Sequence, residues 1–386
     1  MKTTYIYILF FVVLFGIFGF IKMDKNTDAE YTSIDELRKA YSSGDYSKWP
    51  KPVLDPSIDK KKFKDIGVLP KVEFPKDNPY SEAKAKLGKM LFFDPRLSSS
   101  GQIACVSCHN PELAWTDNLT RAFGHNRQNS KRNSMTILNV AFAKPLFWDG
   151  RAKSLEDQSI FPIQDALEMN EHIEVAVDKI NKIEGYQKLF AETFEDKKVS
   201  LINIQKAIAT FERTIVSNES KFDKFISGKP DVFSDEEVLG LHLYRTKANC
   251  ISCHNTPYFS DNEFHNDGQT LFGTKDEDFG RYNVTKNKSD IGKFRTPTLR
   301  EAGRTGPWMH HGHFPSLLDV IQFYNLGNPS PIQKKYIGTV KDSLIPKNSP
   351  ILKKLDLSKD EIKSLIAFIN TLSTPIKRME MPDLPK

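Results

Sequence analysis

Cys105-Val106-Ser107-Cys108-His109 and Cys250-Ile251-Ser252-Cys253-His254 take up all four cysteines of a 386-residue chain, so one pattern is used twice with nothing left over. C-x-x-C-H is the attachment signature of c-type haem. The two thiols add to the two vinyl groups of the porphyrin, and the adjacent imidazole then lies under the ring and binds iron through one nitrogen. Other uses of these residues fit less well. A four-cysteine zinc site wants its pairs roughly 15–20 residues apart, whereas these pairs start at 105 and 250. A thioredoxin-like redox pair needs no His directly after its second Cys. Two c-type haems are therefore expected, one on Cys105, Cys108 and His109, the other on Cys250, Cys253 and His254.

The repeat organises the rest of the chain. The composition, 39% hydrophobic and 27% charged, suits a globular protein of about two domains and excludes a disordered, collagenous or polytopic membrane chain. Each motif should seed one helical domain. Apolar positions Ala83, Leu87, Met90 and Leu91 recur at helical spacing after Ser81, and Asp94-Pro95 ends that run. Ser200 caps a second apolar face of Leu201, Ile204, Ile208, Phe211 and Ile215. Capping boxes follow at Ser234/Glu237, Ser316/Asp319 (the weaker Asp variant) and Ser358/Glu361. Sustained period-two alternation is rare, which argues against a large sheet. The expected fold is all-α: two cytochrome-c-like helical domains, at 81–217 and 218–375, each around one covalent haem, with long irregular loops. A Pro-rich irregular lead-in at 26–80 precedes them and a tail at 376–386 follows.

Residues 5–21 form an uncharged apolar run bounded by Lys2 and Lys22. Its length lies between a secretory h-region of ~7–15 residues and a spanning helix of ~17–25. We read 1–25 as a signal peptide or a retained anchor, and the remainder as an exported, periplasmic protein whose only membrane contact is that segment. Export agrees with c-haem attachment, which takes place outside the cytoplasm. The net charge of +6 owes part of its excess to this segment. Beyond it, lysines and acids are interspersed, without the basic stripe a nucleic-acid partner would need.

Several longer stretches resemble the bacterial di-haem cytochrome c peroxidase and MauG family: residues 87–98 (LGKMLFFDPRLS), Arg132-Asn133, Phe147-Trp148-Asp149-Gly150-Arg151, 162–170 (PIQDALEMN), 294–300 (FRTPTLR) and 305–312 (TGPWMHHG). The resemblance covers roughly residues 80 to 375. It implies that the N-terminal haem is peroxidatic and that the C-terminal haem relays electrons. Glu168 occupies the place of a distal acid that moves the peroxide proton, work for which a carboxylate over iron is chemically suited. Gln158 matches a distal-pocket amide. His125 matches a removable sixth ligand of the peroxidatic iron, and Trp148 a tryptophan between the haems. Asn133, Thr305 and the carbonyl of Pro307 match the ligands of a calcium ion.

The second haem departs from the peroxidase pattern. Where those enzymes carry a Met as sixth ligand, the register after Pro307 gives Tyr324, the MauG-type residue, with Met309, His310, His311 and His313 as nearby rivals. A phenolate favours ferric iron and lowers the reduction potential relative to a Met thioether. Three functions are therefore compatible with the sequence. The first is reduction of hydrogen peroxide to water with electrons from a small cytochrome or cupredoxin. The second is a MauG-type peroxide-dependent oxidation of a partner protein by hole transfer. The third is a non-enzymatic electron carrier or redox sensor, which would need no distal acid.

Overall fold

Eight serines (Ser33, Ser81, Ser154, Ser200, Ser220, Ser234, Ser316 and Ser358) each accept a hydrogen bond from the backbone N–H three residues on, and each starts a helix. The computed structural model describes residues 33–327, 338 and 342–386. The apolar run at 5–21 lies outside the described residues. Among those described, no helix is long and apolar enough to cross a membrane.

The helices in chain order are α1 (Ile34–Tyr41), α2 (Glu82–Phe93), α3 (Leu155–Gln158), α4 (Ile160–Gln164), α5 (Ile173–Asn181), α6 (Glu184–Thr193), α7 (Leu201–Arg213), α8 (Lys221–Ile226), α9 (Asp235–Arg245), α10 (Tyr282–Thr285), α11 (Leu317–Asn325) and α12 (Lys359–Asn370). The only described sheet is a two-residue antiparallel ladder, β1 (Phe264–His265) on β2 (Phe294–Arg295). The chain is thus helix-rich with little strand. Ser234 and Ser358 make full capping boxes with Glu237 and Glu361, whereas Ser316 caps α11 from one side only.

One unit of structure occurs twice. In the first half α2 crosses α7 at Gly88, where a Cβ would stand 1.9 Å from the carbonyl oxygen of Ala207; in the second α9 crosses α12 at Gly240, where a Cβ would stand 2.0 Å from that of Ser364. Only glycine permits so close an approach. One turn beyond each glycine an aromatic ring closes the crossing. Phe92 packs against Phe211 and Trp115, and Tyr244 against Phe368 and Phe259. After each first helix the motif itself forms a short 3-10 turn, Cys105–Ser107 and Cys250–Ser252.

Two hydrophobic cores result. The first is built on Leu87, Leu91, Phe92, Ile204, Ile208 and Phe211. The second centres on Phe222, Val238, Leu241, Tyr244, Leu365 and Phe368. The lead-in differs from the irregular surface wrap expected of it. It contains α1, started by a Ser33/Glu36 capping box, and it buries Leu37, Tyr41, Trp49 and Ile66 in the second core. Its many prolines obscured that short apolar face. Arg245 fixes the contact, reaching Asp65 at 2.6 Å and lying 4.9 Å over the Trp49 ring. The C-terminal segment crosses the other way. Lys386 accepts a hydrogen bond from Gly185 N at 3.0 Å, Pro385 accepts one from Arg96 at 3.0 Å, and Met379 packs on the first core. Each end of the described chain therefore clasps the half that is distant in sequence.

Candidate active site

Both motifs open onto one continuous cavity of about 990 Å³, mostly apolar, which runs between the two halves. That is the upper end of the ~300–1,000 Å³ common for small-molecule sites. Cys108, His109, Cys250, Cys253 and His254 all line it, and no disulfide joins any of the four cysteines. Burial pushes the thiols of Cys108 and Cys250 up to about 12, and that of Cys105 further in the same direction.

The two histidines are held alike. His109 Nδ1 lies 3.2 Å from the carbonyl oxygen of Trp115, and His254 Nδ1 lies 3.2 Å from that of Phe259. A backbone carbonyl can only accept, so each ring carries its proton on Nδ1 and leaves Nε2 as the metal-binding nitrogen. Burial lowers both imidazole pKa values, which favours the neutral, ligating form. The same local frame supports each carbonyl. Ile137 N donates to Trp115 and Leu299 N to Phe259, while the Thr136 and Thr298 hydroxyls donate to the carbonyls of Ala114 and Tyr258. Paired thiols beside a tautomer-fixed imidazole, twice, in an apolar cavity are the donor set that covalent haem requires.

On the first half Glu168 and Gln158 line the same cavity as His109. Gln158 ends α3, and Glu168 lies in the loop between α4 and α5. Burial, reinforced by the charge of Asp165 and opposed by Arg151, pushes the Glu168 carboxyl up to about 7. Near neutral pH it is poised between proton donor and acceptor. His125 is in reach of Glu168 by main chain only. Its N–H donates to the Glu168 carbonyl at 2.8 Å, and a Cβ on Gly124 would stand 1.9 Å from the Leu167 carbonyl oxygen. The imidazole itself lies beside Ser99 Oγ, at 3.2 Å from Nδ1, and is not among the cavity-lining side chains.

Trp148 sits on the seam. Its Nε1–H donates to the Asn133 carbonyl at 3.0 Å, and its own carbonyl accepts from Arg295 N at 2.8 Å. Its ring meets His310 edge-on at 6.3 Å. His310 stacks on Phe294 at 3.6 Å, and Arg132 covers that ring while bridging Asp149 and Asp278 at 2.6 and 2.7 Å. Asn133, Thr305 and Pro307 all line the cavity, and Asn133 N also donates to the His310 carbonyl at 2.8 Å.

On the second half Tyr324 lies on the cavity wall with Val320 and Ile321, one face of α11. Burial and the nearby Asp267 carboxyl raise its phenol pKa well above the ordinary value, and the Cys250 and Cys253 sulfurs are also near it. Of the rivals, Met309 and His310 line the cavity. His311 is bonded through Nε2 to Gln269 at 2.9 Å and through Nδ1 to His313 N at 3.0 Å.

Three cavity residues were given no role of their own by the sequence, although Arg295 lies inside the 294–300 stretch. Burial pushes Glu212 on α7 up to about 8, and its Oε2 is buried without a hydrogen-bond partner. Burial likewise pushes Asp267 up to about 6. Arg295 presents a buried guanidinium. Glu212 lies on the apolar face of a helix, and that position was its one available signal.

Comparison with known proteins agrees with this geometry. Residues 82–231 match the family model for di-haem cytochrome c peroxidase. The chain is 38% identical to cytochrome-c peroxidase IdrP1 of Pseudomonas sp. (strain SCT), covering 80% of this chain and 85% of that protein. It is 35% identical to the methylamine utilization protein MauG of Methylophilus methylotrophus, covering 85% and 92%. A crystal structure of a MauG-like protein associated with microbial copper homeostasis superposes with a TM-score of 0.70 at 29% identity, over 83% of this chain and 96% of that one.

Proposed function

Because the chain belongs to the di-haem cytochrome c peroxidase and MauG family, whose members carry two c-type haems and act on peroxide as oxidoreductases, we propose that it reduces hydrogen peroxide to water at the Cys105/Cys108/His109 haem, with electrons relayed from the Cys250/Cys253/His254 haem. Residues 81–217 and 218–375 are taken as the two haem domains. The observation that carries this reading is Glu168: a cavity-lining carboxyl pushed up to about 7, on the same wall as Gln158 and His109. When bound, the haem irons supply the one-electron steps and a coordination position for peroxide.

The chain's own residues then handle protons and position. Ionised Glu168 would take a proton from the near oxygen of peroxide and return it to the far oxygen, so that the far oxygen leaves as water with the bonding electron pair as the O–O bond breaks. Overall, H2O2, two electrons and two protons become two waters. Gln158 offers one donor and one acceptor to peroxide or water. His125 is tied through its backbone to Glu168, so any movement of its loop that gates the iron also moves the acid. Trp148 provides an aromatic step across the seam. The oxygen donors of Asn133, Thr305 and Pro307 suit a hard cation such as Ca2+ with several waters. Electrons come from a small exported redox protein, and the reaction takes place in the periplasm.

Replacement Glu168→Gln tests the reading. Both haems should remain in the absorption spectrum while most peroxide turnover is lost; unchanged turnover would remove Glu168 from the chemistry.

Tyr324 supports a second reading, the MauG-type oxidation of a partner protein. A cavity-facing phenol near Cys250 and Cys253 suits ferric iron and makes reduction by an ordinary cytochrome harder. Peroxide added without any electron donor distinguishes the two. A long-lived oxidised state, discharged by a protein substrate rather than by reduced cytochrome, favours the second.

A further inference from the structure

Four arginines are buried among the described residues: Arg213, Arg245, Arg295 and Arg300. Three of them have a carboxylate partner. Arg213 is held by Glu156 at 2.7 and 2.9 Å, Arg245 by Asp65 at 2.6 Å, and Arg300 by Asp223 at 2.9 and 3.0 Å. Arg295 has none. Its Nε donates to the Phe147 carbonyl at 3.3 Å, its Nη1 to Asn262 Oδ1 at 3.1 Å and to the Thr296 carbonyl at 3.3 Å, and its Nη2 meets Met135 Sδ at 3.5 Å. These four partners and the Tyr258 hydroxyl beside it are neutral, three of the contacts are long for a charged donor, and the nearby Asp261 carboxylate is bonded to His265 at 2.8 Å rather than to Arg295. A desolvated guanidinium without a directly bonded counter-charge is unfavourable, and the usual remedy is an anion in van der Waals reach.

The position says where that anion must be. Arg295 is 3% exposed, yet it borders the central cavity. It lies on the seam, with Phe147 and Met135 from the first half and Asn262 and Thr296 from the second. Its backbone N–H holds the carbonyl of Trp148. The cavity as a whole is mostly apolar, and the ligand it is built for carries two carboxylates per ring.

We infer that Arg295 is the receptor for a haem propionate at the seam between the two halves, where its charge sets a haem potential. The inference rests on the di-haem reading and adds to it a residue that acts through charge alone. It touches no reacting atom. The planar fork of the guanidinium matches a carboxylate in two-point contact. The cation so placed favours the more electron-rich ferrous state, because it lies close to the ring in a medium of low polarity.

The test is a redox titration of the holoprotein as wild type, Arg295→Gln and Arg295→Lys, after a pyridine haemochrome assay has counted the c-type haems in each. Two haems in the wild type satisfy the underlying reading; fewer would overturn that reading irrespective of Arg295. In Arg295→Gln at least one midpoint potential should fall, and Arg295→Lys should restore most of it. If both potentials stay put in Arg295→Gln, the assignment is wrong. If Arg295→Gln does not retain two haems, Arg295→Lys decides through the resonance Raman propionate-bending band. Exchanging a two-point guanidinium for a compact ammonium should shift that band, and an unmoved band overturns the proposal.

Discussion

The indole Nε1–H of Trp148 points at the main-chain carbonyl of Asn133, 3.0 Å away. A carbonyl oxygen accepts a hydrogen bond but does not take up the proton. An electron that crosses Trp148 therefore leaves the indole protonated, and transfer between the halves is decoupled from any local base. We predict that Trp148→Phe, which keeps an aromatic ring but loses this bond, slows electron exchange between the haems without introducing pH dependence. It should also cost about 1 kcal/mol of stability, in line with one hydrogen bond. Stopped-flow reduction of the second haem, followed by the lag before the first responds, measures the exchange; an unaltered lag would exclude the indole from the route.

The pH dependence of peroxide turnover should follow Glu168. Burial and Asp165 raise its pKa to about 7, while Arg151 opposes them. The first proton transfer needs the ionised form, so the rate should climb as pH rises through about 7. Arg151→Leu removes the opposing cation and should move this rise to higher pH. A profile of kcat/KM over the neutral range reads both, and Glu168→Gln should flatten it at a level lower by a factor on the order of 10²–10⁴.

Glu212 makes a separate prediction about stability. Its folded pKa is raised, through burial, to about 8, above an ordinary carboxyl. The folded chain therefore binds its proton more tightly than the unfolded chain does. Its contribution is fully present below the unfolded pKa and is lost as pH rises towards 8. Glu212→Gln should be relatively more stable than the wild type at pH 8 than at pH 5, as seen in thermal melts at the two values.

The glycine crossings are the rigid points of the two cores. At Gly88 and Gly240 an added methyl meets backbone oxygen rather than a flexible side chain. Gly88→Ala and Gly240→Ala should each destabilise by about 1–3 kcal/mol or more, the range of overpacked cores. The two should be nearly additive, since they sit in different cores. Denaturant unfolding of the single and double variants checks this.

For Tyr324, replacement by Met should raise the potential of the second haem, because a thioether favours ferrous iron where a phenolate favours ferric. Replacement by Phe should change its spin state. A redox titration in which Tyr324→Met is unshifted would hand the coordination to Met309 or His310, the rivals that also line the cavity.

The twice-used C-x-x-C-H pattern, the serine caps and the helical spacing of apolar residues are all local in the chain. They were enough to anticipate a helix-rich chain of the di-haem family and most of the helices that carry each core. Local signals were weaker where the structure is built by long-range packing. The lead-in looked irregular because its short helix packs against α9 and the second core, and Arg295, although inside the 294–300 stretch, showed no local sign of a role of its own. Its want of a bonded carboxylate, the elevated pKa of Glu168 and the placement of Trp148 on the seam are properties of desolvation. Desolvation depends on which distant segments exclude water from a group, so it is decided only when the two halves close on one cavity. Residue order thus determined what this chain can hold, and tertiary packing determined which of its charges and protons are poised around it.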